Sequence, residues 1–128
     1  DKIDIDAPNW TFVASRLFLF NLYHQVNGFT GYTSFEKYFA KGEKEGRLLL
    51  GLRDMYDIQR LEKHIKPERD MLFNYLGVKT LYDRYLIKDK NANPIELPQH
   101  MFMAISMFLA QREENKHEWA IKFYDMIS

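Results

Sequence analysis

Apolar residues along this chain recur mainly at steps of three and four, which predicts helices rather than strands. WTFVASRLFLFNLYHQV places Trp10, Val13, Leu17 and Phe20 at that spacing. Asp6 stands where an N-cap would, Pro8 suits a first turn, and Gly28 suits a helix end. Thr33 followed by Glu36 reads as a capping box that opens a short helix, with Phe35, Tyr38 and Phe39 on one side. Gly42 and Gly46 are expected to break that helix within KGEKEG, a run too polar to bury. Two brief helices are expected next, over Leu48–Tyr56 and Ile58–Ile65.

PERDMLFNYLGVKTLYDRYL, Pro67 to Leu86, reads as one long helix with proline in its first turn and Glu68 and Asp70 near the positive end of its dipole. Met71, Tyr75, Val78, Tyr82 and Tyr85 share a face that Leu72, Leu76 and Leu81 widen, implying contacts on more than one side. Gly77 suggests close approach of a neighbouring backbone. YLIKDKNANPIEL has strand-formers on both sides of Asn91, Asn93 and Pro94, the pattern of a small β-hairpin. Pro98 then opens QHMFMAISMFLAQ, where only Ser106 is polar between Met101 and Ala110. That segment is expected to be the central, most buried helix, with the Pro67–Leu86 helix against it. On that placement Phe108→Ala costs about 3–5 kcal/mol. Asn115 can cap a last amphipathic helix carrying Trp119, Phe123 and Met126. The fold class is all-α: a single multi-helix, orthogonal or bundle-like domain over residues 1–128, with one small β-hairpin and residues 1–7 as a tail.

Composition narrows the function more than the fold. The 18 basic and 18 acidic residues cancel, which argues against a dedicated nucleic-acid binder. Cysteine is absent, so disulfides, thiolate metal sites and thiol catalysis are excluded within these residues. No secretory pattern opens the sequence, and the apolar run Met101–Ala110 is about half of what a membrane span needs. A soluble, cytoplasmic chain with no membrane or nucleic-acid partner is expected.

The candidates for chemistry are sparse. Glu114 and His117 form one E-x-x-H pair, whereas a dinuclear carboxylate site needs two such pairs and further inward carboxylates, so a solvated helix start is the better account. His24, His64 and His100 have no second histidine at ligand spacing, and His100, beside Pro98 and Gln99, suits a capping or hydrogen-bonding role. Ser15, Ser34, Ser106 and Ser128 sit in no nucleophile elbow. KGEKEG lacks the phosphate-loop arrangement, and Tyr82, Arg84 and Tyr85 fit core packing better than base stacking. Met101, Met103 and Met107 fit core packing better than an adaptable binding face. The charges of ERD and YDR are expected to form ion pairs and helix-end hydrogen bonds. No catalytic, cofactor-binding or metal-binding residue is assigned.

The collinear order of the pieces says more. Glu68, Arg69, Asp70, Phe73, Tyr75, Gly77, Thr80, Leu81, Tyr85 and Leu86, then Pro98, Gln99 and Met103, then Phe123, Tyr124 and Ser128, resemble the large, α subunit of class I ribonucleoside-diphosphate reductase. WTFVASRLFLFNLY likewise resembles the helix that follows that family's ATP cone. The resemblance implies the helical N-terminal region between ATP cone and catalytic barrel, a structural part of an oxidoreductase. The complete enzyme would make deoxyribonucleotides for DNA synthesis by thiyl-radical chemistry, with ATP and dNTP effectors. Its partners would be the cone and barrel of the same parent chain and a metal-containing, radical-generating small subunit. The family's catalytic cysteines have no counterpart here, so these residues alone should be inactive. The rival expectation is a non-enzymatic all-α interaction module that holds a partner helix.

Overall fold

Helices form where the apolar spacing places them, but their ends and their inward faces follow side-chain hydrogen bonds and neighbours. A computed structural model describes residues 8–28, 31–46 and 51–128. The expected tail 1–7, the expected cap Asp6 and the start of the expected Leu48–Tyr56 helix lie outside the described residues.

The first helix, α1, runs Pro8–Asn27 and ends where Gly28 takes a left-handed φ of +82°. Its inward face is Thr11, Ser15, Leu19, Leu22 and Tyr23, while Trp10, Val13, Leu17 and Phe20 point outward. Helix α2 is Phe35–Lys44, with Phe35, Tyr38 and Phe39 buried as expected. Its cap is Ser34, whose side chain accepts the Lys37 N–H at 3.2 Å, so the expected cap at Thr33 falls one residue early. Gly42 lies buried inside α2 rather than breaking it, and the turn comes at Gly46, φ +69°.

Of the expected Leu48–Tyr56 helix, the described part holds only a 3₁₀ turn, Arg53–Met55. Helix α3, Ile58–Glu62, is capped by Asp57 and stops short of Ile65. Pro67 disfavours helical backbone at Lys66, which sits at φ −116°, ψ 85°, so no helix can run on past Ile65.

Pro67–Leu86 is not one helix. A 3₁₀ turn covers Pro67–Leu72, Phe73 is extended, α4 covers Tyr75–Thr80, and a π turn covers Leu81–Tyr85. Asn74 causes the break, because its Oδ1 accepts the Gly77 N–H at 2.8 Å and so caps a new helix. Gly77 serves that cap rather than a neighbouring backbone: a Cβ there would stand 3.2 Å from Asn74 Oδ1. Thr11 Oγ1 of α1 accepts the Tyr75 N–H at 3.1 Å, tying the new helix to the first. The expected hairpin reduces to one isolated antiparallel bridge, Lys88 to Pro94, and no strand forms among the described residues. The Ile87 carbonyl accepts the Ile95 N–H, but the Ile87 N–H goes to the Glu96 side chain at 2.8 Å instead of returning the bond, so the ladder is not extended.

Helix α5, Pro98–Ala110, packs chiefly on α6, Lys116–Ile127, and also on the Pro67–Leu72 turn; α4 packs on α1. One core gathers Phe35, Phe39, Leu61, Met103, Met107 and Tyr124. A second gathers Leu19, Leu22, Val78, Leu97 and Met101. The expectation of an α5 buried all round is corrected: Ile105, Phe108 and Leu109 are exposed, Phe108 to 52%. In α6, Ala120 and Tyr124 point inward, whereas Trp119 and Met126 are exposed. Asn115 precedes α6 without a side-chain capping bond, so that expected cap is absent. No described helix is long and apolar enough to cross a membrane.

Candidate functional site

The chemistry-bearing groups that the fold brings together are polar and buried. Asp70, fully inaccessible in the Pro67–Leu72 turn, accepts hydrogen bonds from Tyr23 Oη at 2.7 Å, Tyr32 Oη at 2.5 Å and Gln99 Nε2 at 2.9 Å. Gln99 continues the chain, because its Oε1 accepts from Tyr124 Oη at 2.5 Å and its N–H donates to Tyr32 Oη at 3.0 Å. Tyr124 Oη in turn accepts the Lys66 N–H at 2.8 Å. Segments from α1, the Tyr32 loop, the turn, α5 and α6 therefore meet at one polar knot.

The network explains why a carboxyl can be buried here. Loss of water pushes the Asp70 carboxyl above its ordinary range, while the two phenols and the amide pull it back. Burial, then the neighbouring Asp70 charge, raises both Tyr23 and Tyr32 and keeps them as donors. Beside this knot Arg69 pairs with Asp125 at 3.0 Å, lies 5.3 Å from the Tyr124 ring centroid, and hydrogen-bonds the Ser128 hydroxyl.

A second buried carboxyl, Glu96, accepts from Tyr38 Oη at 2.5 Å and from the Ile87 N–H, joining α2 to the turn before α5. Burial raises it to about 7. Sequence reasoning missed both carboxyls as buried network centres. The ERD charges were expected at a helix end, and Glu96 carried no signal beyond its place among strand-formers.

The other candidates separate. Glu114 is exposed, while His117 Nε2 accepts the Asp57 N–H at 2.8 Å and so helps hold the start of α3. The pair forms no metal cluster, and among the described residues no three metal-ligating side chains converge. His24 and His64 are exposed. His100 is buried among the Tyr32, Phe35 and Tyr38 rings at 4.9–5.3 Å and makes no hydrogen bond among the described residues, so the expected capping role is corrected. Burial lowers its pKa to about 3, which keeps it neutral. Ser34 caps α2, Ser106 Oγ donates to the Phe102 carbonyl at 2.8 Å, and Ser15 is buried in α1. Arg84 and Tyr85 are exposed, not packed in the core; Tyr82 is half-buried under Lys88. A cleft of about 290 Å³ opens between the end of α1 and α2, but its Lys41 already donates to the Val26 carbonyl at 3.3 Å.

Asp70, Gln99, Tyr124, Arg69 and Ser128 all belong to the collinear set that carries the family resemblance. Chemically, this arrangement fixes segments to one another: each donor already has its acceptor. Residues 71–128 match the family model described as "Ribonucleotide reductase, all-alpha domain". Over 128 residues the chain is 62% identical to the ribonucleoside-diphosphate reductase subunit alpha of Helicobacter pylori (strain ATCC 700392 / 26695), covering all of this chain and 16% of that protein. The protein of the same name from Enterobacteria phage T4 is 35% identical over all of this chain and 18% of its own length. The one from Chlamydia trachomatis is 33% identical over 94% of this chain and 12% of its own length. The chain thus spans less than a fifth of the curated relatives it matches. Its all-helical fold and its likeness along the whole length make it a member of the ribonucleoside-diphosphate reductase α-subunit family, within that family's all-α domain.

Proposed function

We propose that these 128 residues are the helical scaffold of a ribonucleoside-diphosphate reductase α subunit. The observation that carries this reading is that the signature residues are used up in holding the fold. Asp70, Gln99 and Tyr124 satisfy one another and two further tyrosines, leaving no free nucleophile or base among them. Reduction by thiyl radicals needs cysteine, and the sequence has none, so the chemistry belongs to other residues of the subunit. The complete enzyme would reduce ribonucleoside diphosphates to deoxyribonucleotides for DNA synthesis in the cytoplasm. It would answer to ATP and deoxynucleotide effectors and use a metal-radical small subunit. The scaffold would sit between ATP cone and barrel, with the exposed Ile105, Phe108 and Leu109 of α5 giving the barrel an apolar footing.

The test is turnover. The complete subunit, supplied with its small subunit and a dithiol reductant, should convert a ribonucleoside diphosphate to its deoxy form. The 128-residue chain under the same conditions should give none. Deoxynucleotide formed by the short chain, or none formed by the complete subunit, would overturn the proposal.

A further inference from the structure

The cleft between the end of α1 and α2 gathers hydrogen-bond donors and no acid. Lys37 and Lys41, one helical turn apart on α2, both line it together with Thr33, and no Asp or Glu borders it among the described residues. Like charges at that spacing repel and weaken the helix that carries them. Neither lysine has an ion pair among the described residues, and the bond from Lys41 to the Val26 carbonyl uses one of its three N–H groups. An anion seated between the two ammonium groups removes the repulsion and takes up their donors.

His100 is a second, independent pointer to a ligand. It is 2% exposed and packed among three aromatic rings, yet it makes no hydrogen bond among the described residues. Buried polar groups ordinarily have partners. Among the described residues only Ser15 Oγ is both sealed from solvent and unbonded, so the His100 nitrogens are reached from outside, and this cleft lies against the ring. Burial keeps the imidazole neutral, with one N–H to donate to a ligand oxygen. A neighbouring cleft also touches His100, but Glu62 lines it and repels an anion.

The cleft, about 290 Å³, stands at the small end of ligand sites, which run roughly 300–1,000 Å³. Near neutral pH a phosphate group carries about −1.5 to −2 charges, a better match to two ammonium groups than a single carboxylate. Val26 and Ile95 add an apolar wall for a short organic body.

We propose that this cleft binds the phosphate group of a small molecule, with Lys37 and Lys41 holding its charge and Thr33 and His100 donating to its oxygens. None of these four residues belongs to the Asp70 network, so the site is separate from the groups that hold the scaffold together.

Diethyl pyrocarbonate acylates neutral imidazole nitrogen, and peptide mass spectrometry of the complete subunit reads His100 directly. Inorganic phosphate or ethyl phosphate at about ten times its dissociation constant should slow acylation of His100 about tenfold, the factor set by occupancy, and leave exposed His64 unaffected. Protection at lower concentration by ethyl phosphate identifies a monoester as the occupant, and by inorganic phosphate the free ion. Lys37→Ala, at an exposed position, should abolish protection, and Lys37→Arg should retain it. A His100 that never reacts, or protection that is absent, survives Lys37→Ala or is matched by acetate at equal ionic strength, overturns the proposal.

Discussion

Asp70 shows how much one side chain can decide. As a carboxylate on a turn it would be ordinary; buried with three donors aimed at it, it organises five segments. Replacing it with alanine leaves Tyr23, Tyr32 and Gln99 with unmet donors, at about 1–3 kcal/mol for each that stays unmet. Asp70→Ala is therefore expected to cost at least 3 kcal/mol in urea unfolding, on the order set by that penalty. Lys79→Ala, which removes only an exposed i,i+4 pair with Asp83, should leave the urea midpoint essentially unchanged. Equal losses would contradict the assigned roles. Glu96 gives a pH signature. Its folded pKa of about 7 lies above the ordinary 4.5, so the folded state binds more protons between those values. The stability it contributes is full below 4.5 and lost as pH rises through 7, on the order of 3 kcal/mol in all. His100, lowered to about 3 by burial, acts in the opposite sense, so the measure is a difference. Relative to Glu96→Gln, the parent should lose stability between pH 4.5 and 7. A flat difference would show that Glu96 titrates normally.

Among the elements, existence was more legible than boundaries. α1, α2, α5 and α6 follow from apolar spacing, yet Asn74 cuts the apparent Pro67–Leu86 helix, because a short amide can cap a helix as readily as ride inside one. The hairpin stops at one bridge for an equally local reason: the Ile87 N–H goes to the Glu96 side chain instead of the ladder. α5 carries the main correction of placement. Its sequence is apolar around the whole circumference, but the described fold covers only the side of Met103, Ala104 and Met107. Phe108→Ala in the 128-residue chain should accordingly cost less than about 1 kcal/mol, and Met107→Ala about 2–5 kcal/mol. Denaturant midpoints measured side by side decide this, and the reverse order would mean that the exposed and buried faces of α5 are exchanged.

At the scale of the molecule, α1 and α5 share one property: each is apolar on a side that the described fold leaves open. The chain spans 16% of a 62%-identical relative. The sequence by itself determined the all-helical class, most helix positions, the lack of thiol chemistry and, through the order of its motifs, the family. Those properties are local or additive: periodicity, composition and residue identity need no knowledge of neighbours. Only the tertiary structure decided which apolar side of α1 and α5 turns inward, and that Asp70, Gln99 and Tyr124 meet. Periodicity gives opposite apolar faces the same signature, and a hydrogen bond between residues 29 or 25 positions apart exists only once the helices between them have packed.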